Sequence, residues 1–313
     1  MSLRVRLYEK GDEIGITNLF HEVFGRKMSL EEWQWKYAGR GNRKVYSSVA
    51  LNEKDEIVAH YGGMVHRMIY QGREVFGLAI GDVMIHPKYR GPKLFKEIAS
   101  LVPEEAVRDG IVIGYGFPND RAFRLPEKLG LYEKIEDVCE ANKETTFWNN
   151  PSRYVYRLFP LSYDDDRIDI LWEEVKDAYV LAVIRDQAYL RWRYEKHLLF
   201  SYELWGLRKR WSSRLVGFAV LRREDERERV LIMDFVCHAG EMQTLFQKIE
   251  NIIDGKKRMT LWHAEYLKQK MSQMGFSVGH AGTCIPRTTH EGTIRKYEIS
   301  GKFFYTMGDT DFL

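Results

Sequence analysis

The feature that most constrains this chain is a set of landmarks that occurs twice in the same order. Trp35-Lys36-Tyr37, near the end of one helical stretch, is matched by Trp192-Arg193-Tyr194 near the end of another. The strand that follows carries Ile57-Val58-Ala59 in the first half and Leu215-Val216-Gly217 in the second. Tryptophan and valine therefore stand 23 residues apart in one half and 24 in the other. Leu129-Gly130-Leu131 then corresponds to Met274-Gly275-Phe276, each reading as a helix end with a glycine cap leading into a strand. One such match is chance, but three in order predict two copies of one fold. A length of 313 residues suits two domains of about 150 residues each.

Within the first copy, strand and helix patterns alternate. Arg4 to Tyr8 reads as a strand, and Gly11 to Phe24 carries a helical apolar stripe through Ile14, Ile16, Leu19, Phe20 and Val23. Ser29 with Glu32 three residues on reads as a capping box, opening a helix that runs to Ala38. Strand-like runs follow at Val45–Leu51, Ile57–Ile69 and Val75–Ile85, with a turn at Tyr70-Gln71-Gly72-Arg73. A helix from Pro92, a short strand at Ile111–Tyr115, a helix over Asn119–Leu129 and a strand region to Phe147 complete the copy. Pro103 predicts a kink or restart in the helix that contains it. The expected class is α/β (α+β), with two tandem domains, each a mixed, mostly antiparallel sheet flanked by helices. The expected boundaries are 1–148 and 167–313, with 149–166 as linker because of its Asn-Asn-Pro, Phe159-Pro160 and Asp164-Asp165-Asp166 runs.

Composition narrows the function. A net charge of +3, with no basic stripe, argues against a nucleic-acid partner. Cys139, Cys237 and Cys284 lie far apart, without the spacing of a disulfide framework or a zinc site, so no metal is expected and a reducing cytoplasm fits. No apolar run reaches the roughly 18 residues of a membrane span, so no membrane partner is expected. Long C-terminal edge strands could pair across a homodimer. The aromatic, acidic tail Phe303–Leu313 is expected to return to the cleft between the copies and offer a carboxylate, Asp309, Asp311 or the terminus.

The chemistry concentrates in Asp82-Val-Met-Ile-His-Pro-Lys-Tyr-Arg-Gly-Pro-Lys-Leu-Phe-Lys-Glu-Ile-Ala99. A strand ends, a short loop follows, and a helix opens near Pro92. Free amides at a helix N-terminus, with the positive end of the dipole behind them, form an anion site suited to a pyrophosphate. Arg90 and Lys93 add cations at the same place. This segment resembles motif A of the GNAT acyltransferase superfamily, whose signature is Arg/Gln-x-x-Gly-x-Gly/Ala. The resemblance implies that Val83, Met84 and Ile85 offer backbone groups to a pantetheine arm. It also implies that Arg90, Gly91, Pro92, Lys93, Leu94 and Phe95 surround the pyrophosphate. Phe117-Pro118-Asn119 through Lys128-Leu129-Gly130 is similar to a second segment of the superfamily, in which Asn119 would contact the cofactor arm. The second half resembles the fold without the motif: Asp234 to Glu241 brings an acid and no cation cluster to the equivalent turn, so its cofactor site is expected to be degenerate.

The sequence departs from the pattern in two ways. Lys93 and Phe95 stand where the signature has small residues, and Pro92 removes an amide donor. A left-handed backbone at Lys93 would cost roughly 1–2 kcal/mol. The tyrosine acid that many members carry before the Lys-Leu-Gly segment is also missing. The candidates left for proton transfer are Asp82, His86 and Glu127 as bases and Tyr115 as acid. The implied function is an acyl-CoA-dependent N-acyltransferase, an N-acetyltransferase using acetyl-CoA on a primary amine of a small molecule, amino sugar or peptide. The alternative is a non-catalytic acyl-CoA-binding or ligand-sensing protein with a GNAT fold. The two-copy layout is also similar to Fem-type peptidyl transferases, which use aminoacyl-tRNA, but the near-neutral charge and the cation-bearing loop favour CoA.

Overall fold

The computed structural model describes residues 3–38, 44–145, 152–253, 255 and 257–310. The chain divides into two compact units. The first is built from Met1–Met68, Glu74–Asp137 and Gly282–Ser300, and the second from Ile69–Arg73, Val138–Ala281 and Gly301–Leu313.

In the first unit the strands are β1 (Arg4–Leu7), β2 (Tyr46–Leu51), β3 (Ile57–Tyr70), β4 (Arg73–Ile85) and β5 (Ile113–Tyr115), and the helices are α1 (Asp12–Phe24), α2 (Leu30–Trp33), α3 (Pro92–Arg108) and α4 (Asp120–Lys128). Strand β6 (Tyr132–Glu144) follows. The first three strands are paired antiparallel, while β4 and β5 are parallel. The turn between β3 and β4 falls on Gln71 and Gly72, at φ 47° and 77°, the conformation of the mirror-image hairpin turns that match strand twist. Helix α3 buries Leu94, Phe95, Ile98, Ala99, Val102 and Ala106 against Tyr46, Ala50, Val58 and Leu78. Complete burial of a side chain such as Ile98 or Val102 contributes about 1.5–3 kcal/mol. The helix passes through Pro103 as a single element, so the expected restart does not occur. The buried face holds it across the missing backbone donor.

The second unit contains α5 (Ser152–Val155), β7 (Tyr156–Pro160), α6 (Arg167–Val175), β8 (Leu181–Val183), α7 (Gln187–Leu190), β9 (Glu203–Lys209), β10 (Leu215–Glu224), β11 (Arg229–Cys237), α8 (Met242–Glu250), β12 (Arg258–His263) and α9 (Lys268–Gln273). Here β7, β9, β10 and β11 are antiparallel neighbours, and β11 with β12 repeats the parallel pairing of β4 with β5. The stretch expected as linker is therefore partly strand: Tyr156–Pro160 is fully laddered to β9. Residues 146–151 lie outside the described residues.

Strand β13 (Ser277–Thr288) corrects a further expectation. Its residues from Gly282 onward belong to the first unit, where Arg287 pairs with Tyr115 of β5. The units are thus each built from separate segments of the sequence, whereas boundaries at 148 and 167 anticipated two contiguous ones. The late strand covers the edge that the three-residue β5 would leave open.

The repeated landmarks have repeated structures. Trp35-Lys36-Tyr37 and Trp192-Arg193-Tyr194 each lie in a π-helical turn, Gln34–Ala38 and Arg191–Glu195. Gly130 and Gly275 are both left-handed, at φ 70° and 84°. In each, the following amide reaches back to close the helix, Leu131 to Pro126 and Phe276 to Met271.

Candidate functional site

The parallel ladder between β4 and β5 consists of Gly77↔Ile113, Leu78↔Gly114 and Ala79↔Tyr115, and β5 ends there. Strand β4 continues from Ile80 to Ile85. The two strands part at Tyr115, leaving that stretch of β4 without β5 as a partner. Met84 is buried, while Val83 and Ile85 are half-buried. An unpaired strand edge of this kind offers N–H and C=O groups to an extended ligand that contains amides.

The chain then passes through a short turn, Pro87–Tyr89, into α3. Phe95 N–H is the first to find a helical partner, the carbonyl of Gly91. Pro92 has no N–H, so Lys93 and Leu94 supply the helix-terminal donors. Lys93 is absent from the left-handed residues, so the strain considered for it does not arise. Arg90 and Lys93 are exposed, and Arg90 Nε donates to the Ile85 carbonyl at 3.2 Å, which fixes the base of its side chain at the strand end. Gly91 is extended at φ 179°, a conformation open to any residue. A Cβ there would meet no atom within 4 Å, so the backbone can be approached closely from that side. Leu94 and Phe95 turn inward into the core and can contribute only backbone. Asn119 caps α4, its Oδ1 accepting from Ala122 N–H at 2.9 Å, which leaves the amide nitrogen as its outward group.

The three candidate catalytic residues stand in different settings. Asp82 is left-handed at φ 47° within β4, one of four such non-glycine residues described. An aspartate tolerates this conformation at a cost of about 1–3 kcal/mol. Its Oδ2 accepts from Lys36 Nζ at 2.7 Å and from Tyr37 OH at 2.7 Å. Burial alone would raise Asp82, but the charge of Lys36 and the two hydrogen bonds hold it below the usual carboxylate range. It is thus an ionised, paired carboxylate rather than a free base. Behind it, His60 Nδ1 lies 2.7 Å from the Asp82 carbonyl. A carbonyl only accepts, so Nδ1 carries the proton and Nε2 the lone pair. Burial lowers His60 and keeps it neutral.

Tyr115, fully buried at the point where the strands part, has its hydroxyl 2.7 Å from His66 Nδ1. Glu127 is exposed on α4, and His86 caps the turn after β4 through Lys88 N–H. The partners of Asp82 went unassigned in the sequence reading, although a signal existed. In the second unit Tyr194 OH likewise donates to Asp234 Oδ2, at 3.0 Å, so the tyrosine of the repeated landmark meets a mid-strand aspartate in both units, while Arg193 donates instead to the Gly308 and Thr310 carbonyls. There the rest of the setting differs. Arg185 bonds both Asp234 and Asp309, at 2.9 and 2.5 Å, and all three side chains are fully buried. Asp309 is therefore a core group of the second unit and not a carboxylate offered to a site, and Asp311 lies outside the described residues. At the turn that corresponds to the cation-bearing loop, a carboxylate, Glu241, precedes α8 and accepts from Tyr156 OH.

Among the described residues no group of side chains could hold a metal ion, and no helix is long and apolar enough to cross a membrane. Residues 4–134 match the family model described as an acetyltransferase (GNAT) domain. A search of curated proteins finds no match. Among solved structures, the fold is similar to that of a GCN5-related N-acetyltransferase from Anabaena variabilis (TM-score 0.71, 16% identity, covering 91% of this chain and 72% of that one). It is also similar to a GCN5-related N-acetyltransferase from Kribbella flavida (TM-score 0.66, 15% identity, 92% and 70% covered). A third similar structure is Saccharomyces cerevisiae N-myristoyltransferase with bound myristoyl-CoA (TM-score 0.61, 10% identity, 92% and 82% covered).

Proposed function

The chain carries a GNAT acetyltransferase domain over residues 4–134, and from that premise we propose that it is an acyl-CoA-dependent N-acyltransferase with acetyl-CoA as donor and a primary amine as acceptor. The observation that carries the reading is the run of β4 beyond its ladder with β5, Ile80–Ile85, leading through Arg90 and Gly91 into the N-terminus of α3. Those two features complement the two halves of an acyl-CoA. The amides of a pantetheine arm extend the β4 ladder at Val83–Ile85. The diphosphate meets the Lys93 and Leu94 N–H groups with Arg90 and Lys93 as counter-charges. The bound myristoyl-CoA of the yeast N-myristoyltransferase supports acyl-CoA as the class of donor. The second unit, with Glu241 ahead of α8, is assigned no donor site.

In the reaction the amine nitrogen bonds to the thioester carbonyl carbon, the C–S bond breaks, the amine loses a proton and the sulfur leaves as a thiol after gaining one. Tyr115 is the group best placed to protonate the sulfur, because it ends β5 where the strands part and has His66 behind it. Asp82, its charge matched by Lys36 and bonded by Tyr37, is assigned no proton transfer. Glu127 is solvated on α4 and is assigned no step. The test is release of free thiol from acetyl-CoA with a panel of primary amines. Amine-dependent release is expected, lowered about 100-fold or more in Tyr115→Phe with acetyl-CoA affinity retained. Binding without release for any amine would instead leave the protein as a non-catalytic acyl-CoA binder.

A further inference from the structure

The edge of the second unit's sheet carries a charge pattern that its fold does not require. Arg157 on β7 is directly opposite Arg208 on β9. Like charges facing each other across a ladder are destabilising. On the same face, two residues along β7, Phe159 lies opposite Gly206. A Cβ on Gly206 would come within 2.9 Å of the Phe159 ring, so the glycine lets that ring lie against the sheet. Two guanidiniums flank the ring, Arg167 at 5.2 Å and Arg208 at 5.7 Å from its centroid.

These same guanidiniums pin the turn after β9. Arg208 donates to the Ser212 carbonyl at 2.9 Å, and Arg167 donates to the Ser213 carbonyl at 2.8 Å. The turn presents Arg210 and an indole, Trp211, that is 71% exposed. Together they line an open pocket of about 570 Å³, a volume within the range of small-molecule sites. Four arginines line it and no carboxylate does. Asp165 pairs with Arg167 from outside the lining.

We propose that this pocket binds a small polyphosphate anion, with Arg157, Arg208 and Arg210 on the phosphates and Trp211 at the rim. An anion between Arg157 and Arg208 converts a repulsive cross-strand pair into a bridged one. A rigid floor and a pinned turn present the cations without the ordering cost of free surface side chains. The phosphate chain could belong to inorganic polyphosphate or to a nucleoside polyphosphate whose base stacks on Trp211. Both share the recognition chemistry, and the two are separable by experiment.

The full chain is titrated calorimetrically with sodium tripolyphosphate and, separately, with ATP, without metal. The variants are Arg157→Ala, Arg210→Ala, Trp211→Leu and, as control for the first-unit loop, Arg90→Ala. Saturable binding is expected that weakens about tenfold or more in Arg157→Ala and in Arg210→Ala, weakens with added salt and survives Arg90→Ala. Arg157→Ala should melt no lower than the parent, since it removes a like-charge pair. ATP tighter than tripolyphosphate, with the margin lost in Trp211→Leu, identifies a nucleotide. Equal affinities identify the phosphate chain alone. No saturable binding, or binding lost in Arg90→Ala and kept in Arg157→Ala and Arg210→Ala, overturns the proposal.

Discussion

Arg185→Met is expected to cost about 3–5 kcal/mol of folding stability, read as a lowered urea midpoint. Arg185, Asp234 and Asp309 are all fully buried, and Arg185 is the cation that bonds both carboxylates. Met fills the volume but leaves two desolvated carboxylates facing each other. Thr306 is drawn in as well, its hydroxyl donating to Asp234 and its N–H to Asp309, so the loss also loosens the segment that follows β14 (Phe303–Phe304). The pH dependence follows from sign. Burial pushes Asp309 up to about 6, against the pull of Arg185 and with Asp234 adding to the push. A carboxyl raised in the folded state keeps a proton that the unfolded chain has released. Its contribution to stability therefore falls as pH rises from about 4 to about 6. Without Arg185 the pull that opposes burial at Asp309 is gone and this carboxyl rises further, so the variant should lose more at about pH 8 than at about pH 5. A loss below about 1 kcal/mol, or one equal at both pH values, contradicts this picture of the core.

Lys36→Met should act in the same way in the first unit, again by about 3–5 kcal/mol. Lys36 and Asp82 are 5% and 9% exposed at their side chains. With the ammonium gone, Tyr37 OH remains the donor to the carboxylate. The sign here is opposite to that of Asp309. Asp82 is held below the usual range, so its pairing stabilises above the unfolded carboxylate value and is lost as pH falls through the depressed one. In the variant the pull of Lys36 is gone, and burial raises Asp82 against the remaining Tyr37 hydrogen bond. Lys36→Met/Asp82→Asn should therefore recover part of the loss, because the amide carries no charge. A double-mutant cycle by urea unfolding measures the coupling. Additive losses would mean that the two residues do not act as a pair.

What the sequence disclosed depended on how local each signal was. The start of α3 at Pro92, the Gln71-Gly72 turn, the Ser29 cap and the two glycine-closed helix ends are set by residues within a few positions of one another, and the structure has them all. The pairing of Arg287 with Tyr115 joins strands far apart in sequence, and no local pattern encodes such a register. Strand β7 was hidden by Pro160 and the aspartates after it, which read as loop chemistry while the edge position tolerates the proline. The site was half legible. Arg90, Gly91 and Lys93 could be singled out as candidates because a loop opening a helix has a recognisable spacing. Lys36 and Tyr37 were seen as landmarks of a repeat, but their partner lies 46 and 45 residues away. Strain was looked for at Lys93, which enters a helix normally, whereas it lies at Asp82.

The most direct test of the donor site proposed for the first unit is calorimetric titration of the full chain with acetyl-CoA, in parallel with Arg90→Ala and Gly91→Glu. Gly91 has open space around it and an extended backbone, so the glutamate variant should fold while placing a carboxylate at the mouth of the helix. The account predicts saturable one-to-one binding that weakens about tenfold or more in each variant. Absence of binding at millimolar ligand, or equal affinity in all three proteins, would contradict it.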